Sequence, residues 1–156
     1  MNETNQNLQE LWGKVGFIVH LSQMVEYNLA NILSADELLR EFEEKNSTLI
    51  IDFVALAQKS NEMYHKLSST PLGSILKQAK KVKFFNENGI ELLEKACKKR
   101  NYVIHHLFRE DLKQKHLETG PEFYFEELET TIEFLYRINE VLTKIFERQK
   151  QEFELI

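Results

Sequence analysis

The sequence contains few of the residues that end helices or build turns, and almost no cysteine. Two prolines and five glycines among 156 residues are too few for an all-β fold with many turns. The single cysteine, Cys97, excludes a disulfide framework and a multi-cysteine metal site, so we expect a reducing, cytoplasmic setting. No apolar run approaches the ~20 residues of a membrane span. Residues 1–5 lack the basic and apolar parts of a signal peptide, so we expect no contact with a membrane.

Several short catalytic motifs are also missing. The sequence has no Gly-rich phosphate loop, no Gly-x-Ser-x-Gly and no His-Glu-x-x-His. His105 and His106 are neighbours, and adjacent residues on an α-helix point about 100° apart. The two imidazoles therefore do not form a metal site together, and we expect neither a metal nor an organic cofactor.

Apolar residues recur at spacings of three and four along almost the whole chain, which is typical of amphipathic helices. The pattern predicts one all-α domain over residues 1–156, an up-and-down bundle of four long helices with one or two short ones. Helices are predicted at about 5–33, 47–67, 71–82, 89–108 and 123–146, with a break at 34–37, a short helical turn or a continuation at 38–42, and loops at 84–89 and 113–121. Ser47 and Thr70 are the predicted caps of two of these helices, with Pro71 at a first helical position.

The helix predicted over 89–108 has a charged residue within its apolar face. At 100° per residue its apolar side chains form one stripe. The stripe consists of Ile90, Leu93, Ala96, Cys97, Val103, Ile104, Leu107 and Phe108. Arg100 falls inside this stripe, and Asn101 and His105 are predicted to stack along its edge. A cation on an apolar face needs a partner, a ligand or a route to water, so the pattern indicates a polar site at a helix or subunit interface.

Basic charge is concentrated around this helix. Residues 77–109 hold nine Lys or Arg and three Glu, whereas the chain as a whole has a net charge of −5. The segments before and after it are both acidic. This distribution is expected of a phosphate-binding zone on an acidic body, although a solvated lysine-rich helix face would have the same composition.

The segment Arg100-Asn101-Tyr102-Val103-Ile104-His105 resembles the Arg-Asn-x-x-x-His motif of the HEPN superfamily, the higher eukaryote and prokaryote nucleotide-binding domains. The wider stretch of residues 70–110 is similar to small bacterial HEPN-like proteins. The resemblance implies a bundle that dimerises through the motif helix. It also implies a metal-independent endoribonuclease of toxin or phage-defence type, with its active site shared across the homodimer and with a cognate antitoxin as a further partner.

By this resemblance, Arg100 would hold the scissile phosphate, His105 would act as general acid or base, and Asn101 would orient the pair. We expect Lys98, Lys99 and His106 to contact RNA.

The sequence departs from the pattern of some HEPN toxins at one position, and two alternative functions remain open. HEPN toxins that are paired with nucleotidyltransferases carry Tyr two residues after the motif His, where this sequence has Leu107. The first alternative is a non-catalytic HEPN-like module that binds a nucleotide or a partner in the same pocket. The second is a plain helical interaction protein, in which Arg100 pairs with Glu133 or Glu26 of another helix.

Overall fold

The computed structural model describes residues 3–45, 53–68, 72–111 and 120–154. Over these ranges the chain is helical and has no strand, which confirms the predicted all-α bundle. The helices are α1 (Glu3–Lys45), α2 (Phe53–Ser68), α3 (Leu72–Ala79), α4 (Glu87–Asn101), a π-helix (Tyr102–Asp111), a 3-10 turn (Pro121–Tyr124) and α5 (Phe125–Glu154). None of the described helices combines the length and the apolar character that crossing a bilayer requires.

Helices α1 and α5 pack along each other and supply most of the core. Their buried apolar residues include Leu11, Ile18, Leu29, Ile32, Leu128, Leu135 and Leu142. Near the start of both helices, Lys14 Nζ lies 2.8 Å from Glu129 Oε1. Further along both, Gln149 Nε2 donates to the Ile32 carbonyl at 2.9 Å. Residue numbers rise together along the contact, so α1 and α5 are parallel.

Helix α4 runs in the opposite direction to both. Just before it begins, the Lys83 backbone N–H donates to Asp36 Oδ1 at 3.4 Å, and Lys83 Nζ lies 3.4 Å from Glu152 Oε1. At its other end, Arg100 lies beside Glu26, earlier in α1. Helix α4 thus descends from the far ends of α1 and α5 towards their middle, and this path fixes where the motif lies.

The predicted break at 34–37 is wrong, because α1 continues through it to Lys45. Ser34 is fully buried and its hydroxyl donates back to the Ala30 carbonyl, so its polar group is satisfied within α1 instead of capping a new helix. Asp36 is also buried and pairs with Arg40 one turn later. Serine and aspartate often cap the start of a helix when they are exposed. At positions 34 and 36 both side chains are buried, and burial overrides that preference.

The observed ends of other helices differ from the predicted ends by a few residues. Helix α4 begins at Glu87, two residues before the predicted start, because Asn86 Oδ1 accepts the Gly89 N–H at 2.8 Å and caps it. Helix α5 begins at Phe125 and continues beyond residue 146 to Glu154, since Gln149 and Phe153 are buried against α1 and its neighbours. The caps predicted at Ser47, Thr70 and Pro71, and most of the loop predicted at 113–121, lie outside the described residues.

Candidate functional site

Helix α4 holds Arg100 on its inward face, as the periodicity predicted. Leu93 and Ala96 are buried before it, and Val103 and Leu107 are buried after it. The side chain of Arg100 is 26% exposed, so the guanidinium lies at the rim of the core and reaches solvent. The predicted apolar stripe is therefore confirmed over its described residues, and Arg100 is not enclosed within the subunit.

Arg100 and Asn101 are brought together by a hydrogen bond. Arg100 Nη1 donates to Asn101 Oδ1 at 3.0 Å. Asn101 Nδ2 in turn contacts Cys97 Sγ at 3.6 Å, a distance within the range for a sulfur acceptor. This chain of contacts fixes the orientation of the Asn101 amide, because its oxygen accepts from the arginine while its nitrogen faces the thiol.

Glu26 of α1 is the acidic neighbour of Arg100. Glu26 Oε1 and Arg100 Nη2 are 3.8 Å apart, which is longer than a direct hydrogen bond. Burial raises the pKa of the Glu26 carboxyl above its ordinary value, and the Arg100 guanidinium offsets only part of that rise. Of the two acidic partners considered for Arg100, the structure selects Glu26; Glu133 pairs with Arg137 on its own helix.

The guanidinium is incompletely satisfied within the described part of the chain. Arg100 Nε is buried and has no hydrogen-bond partner there. A cavity of about 10 Å³ lies next to Arg100 and is lined by residues that include Ser22, Cys97 and Leu135. A single water needs about 10–15 Å³, so the cavity has no room for a larger group. A ligand of Arg100 would therefore have to approach from the solvent side.

The helix widens directly after the Arg100–Asn101 pair. Residues Tyr102–Asp111 form a π-helix, in which each turn contains more residues than a turn of an α-helix. Arg100 and His105 would lie about 140° apart around an α-helix. A π-helix has more residues per turn, so this angle becomes smaller, which the sequence did not predict.

Of the remaining predicted site residues, His105 and His106 lie on the π-helix, and Lys98 and Lys99 lie on α4. His105 and His106 are both exposed, and no described hydrogen bond joins His105 to Arg100 or Asn101. Lys98 is exposed as well. Lys99 points towards α5, where its Nζ lies 6.0 Å from the centre of the Phe134 ring. Within the predicted set, the described structure shows a direct hydrogen bond between the Arg100 and Asn101 side chains.

Two features were not predicted from the sequence. The first is Cys97 as a neighbour of Asn101; its i, i+4 spacing would have been enough to suggest it. The second is an open cleft of about 530 Å³ between α1 and α5, with Phe17, Met24 and Tyr136 among its lining residues. These three side chains are exposed there, which the sequence pattern does not reveal.

Metal ligands do not cluster in the described ranges, where no three His, Cys, Asp or Glu side chains are placed to share an ion. Comparison of the chain with family models, with curated proteins and with solved structures gave no match. The resemblance to HEPN domains therefore rests on the Arg100–His105 motif of the sequence alone.

Proposed function

We propose that this protein is a HEPN-like endoribonuclease that acts as a homodimer and cleaves RNA without a metal ion. The observation that carries the proposal is the guanidinium of Arg100, held by Asn101 at the rim of the core and not fully paired. Because Nε is buried, the two Nη atoms of the planar guanidinium are the donors that could bind two oxygens of a phosphodiester. The basic residues around it favour a polyanion. Because the chain has one cysteine, we propose a reducing cytoplasmic setting.

In the proposed reaction the 2′-oxygen of the RNA attacks the adjacent phosphorus. His105 accepts the 2′-hydroxyl proton, and the bond from phosphorus to the 5′-oxygen breaks. The leaving 5′-oxygen takes a proton from His105 of the second copy or from water. The products are a 2′,3′-cyclic phosphate and a 5′-hydroxyl. Arg100 neutralises the extra negative charge that develops on the phosphate oxygens, and Asn101 keeps the guanidinium oriented.

The contact between Arg100 and Glu26 is the pairing expected of a plain helical interaction protein, and it also suits a second candidate, a HEPN-like module that binds a nucleotide or a partner without catalysis. A carboxylate close to the guanidinium reduces the positive potential available to a substrate phosphate. His105 is also not held by either motif partner in the described structure. This module would bind through the same residues but would show no turnover.

The decisive experiment is RNA cleavage by the purified protein in the presence of EDTA, compared among four variants. We expect Arg100→Ala and His105→Ala to lower the cleavage rate at least 100-fold, the order of magnitude of general acid–base or oxyanion contributions. Arg137→Ala and His20→Ala are matched controls. They remove an exposed arginine and an exposed histidine from other helices and should leave the rate unchanged.

Circular dichroism and thermal unfolding establish that each variant retains its fold. End-group analysis should show a cyclic phosphate and a 5′-hydroxyl. Cleavage that persists equally in Arg100→Ala and His105→Ala would contradict the assignment of the active site. RNA binding without cleavage, lost in Arg100→Ala, would instead support the non-catalytic module.

A further inference from the structure

Glu26 lies where it can control access to Arg100. The residue is on α1, whereas the motif is on α4, so no local sequence pattern links the two. Its Oε1 atom is 3.8 Å from Arg100 Nη2, and its side chain is 23% exposed. The carboxylate is therefore close enough to interact electrostatically with the guanidinium without a direct hydrogen bond.

A carboxylate and a phosphodiester cannot both occupy this side of the guanidinium. Each carries a full negative charge, and two like charges at such distances repel strongly in a partly buried site. Asn101 accepts one N–H of Arg100 Nη1, and Arg100 Nε is buried. Nη2 is the donor atom that lies beside Glu26, so it is there that the carboxylate and a phosphate would compete.

We infer that Glu26 is an autoinhibitory residue, whose carboxylate must leave Nη2 of Arg100 before an RNA phosphate can bind there. This inference rests on the RNA-binding part of the proposed function. Because the Glu26 side chain is already partly in solvent, a change of rotamer moves the carboxylate into water without opening the core. Burial already disfavours the charged form of Glu26 in its present position, which lowers the cost of that movement.

The test is the affinity of the full chain for a fluorescein-labelled, 2′-O-methyl oligoribonucleotide, measured by fluorescence anisotropy. This probe has no free 2′-hydroxyl, so binding is measured separately from cleavage. Glu26→Gln keeps the size of the side chain and removes its charge. We expect it to tighten RNA binding by about threefold to tenfold, the effect of removing one competing charge from a partly buried pair.

Glu133→Gln is the matched control. It also removes one negative charge, but from an exposed residue that pairs with Arg137 on α5. We expect it to change the affinity less than about twofold, because exposed charges are screened by salt. Equal gains in Glu26→Gln and Glu133→Gln would overturn the inference, since only net charge would then matter.

A double-mutant cycle shows whether Glu26 acts through Arg100. In the Arg100→Ala background, Glu26→Gln should give no gain in affinity. A gain that persists there would overturn the inference, because Glu26 would then repel RNA without involving the guanidinium. A purely structural role for Glu26 would produce no such dependence on Arg100.

Three further comparisons complete the test. If Glu26→Gln does not fold, Glu26→Asp withdraws the carboxylate by one methylene and should still bind RNA more tightly than the wild type; wild-type affinity would overturn the inference. If Arg100→Ala binds RNA as well as the wild type does, both the RNA site and the role of Glu26 are refuted. If RNA binds at Arg100 but is never cleaved, the ribonuclease proposal fails while the inference about Glu26 stands.

Discussion

Two adjacent leucines on α4 offer a direct test of how this helix is rotated in the bundle. Leu93 is 4% exposed, whereas Leu92 is 42% exposed. Leu93 and Arg100 are seven residues apart and lie on the same side of α4, so the burial of Leu93 and the position of Arg100 depend on the same rotation. Replacing each leucine by alanine changes helix propensity very little, so the comparison isolates packing.

The two variants are expected to lose different amounts of unfolding free energy, with a difference of about 2 kcal/mol. Leu93→Ala removes a buried side chain and leaves a cavity, which costs about 3 kcal/mol in the range known for buried leucines. Leu92→Ala removes a side chain that is already close to half in water and leaves no enclosed cavity. Its expected cost is about 1 kcal/mol, from roughly 0.8 kcal/mol per buried methylene.

Urea unfolding, followed by far-UV circular dichroism, measures both losses. With an m-value of about 2 kcal/mol per molar urea, Leu93→Ala should lower the midpoint by about 1.5 M and Leu92→Ala by about 0.5 M. Equal losses, or a larger loss at Leu92, would refute the described rotation of α4. Each measurement is repeated at a tenfold higher protein concentration, because burial of Leu92 by a second copy would make its loss depend on concentration.

Two further predictions concern ionisable groups near Arg100. Burial raises the pKa of the Cys97 thiol, so iodoacetamide should alkylate it several-fold more slowly at pH 8 than in the urea-unfolded chain; equal rates would place the thiol in open solvent. The pKa of Glu26 is raised above its ordinary value of 4.5, so the folded state binds the proton more tightly than the unfolded state. The free energy of unfolding of the wild type should therefore rise relative to Glu26→Gln as the pH falls from neutral towards 4.5, and a difference that does not vary with pH in urea titrations would contradict this.

The fold class and the face of α4 could be predicted because both depend on local periodicity. The stripe that contains Leu93, Val103 and Leu107 repeats at helical spacing, and burying it requires a partner helix whatever the topology. The inward position of Arg100 on this face follows from the same pattern, whereas its partial access to solvent does not. These features need no knowledge of which helix packs against which.

The features that the sequence did not predict depend mostly on contacts between distant parts of the chain. Ser34 and Asp36 have the chemistry of helix caps, and only the packing of the turn at Lys83 shows that Asp36 is buried within α1. The apolar spacing could not distinguish a π-helix from an α-helix here. Val103 and Leu107, four residues apart, fall on one side of either kind of helix. The choice between Glu26 and Glu133 as the neighbour of Arg100 required the relative rotation of three helices.

The parallel alignment of α1 and α5 has a practical consequence for distance measurements. At 1.5 Å per residue, the 43 residues of α1 rise about 65 Å and the 30 residues of α5 rise about 45 Å. Dyes attached near residues 5 and 126 would lie close together at the shared starting end of the two helices. Dyes near residues 5 and 151 would be separated by most of the length of α5, so energy transfer between them would report directly on the integrity of the bundle.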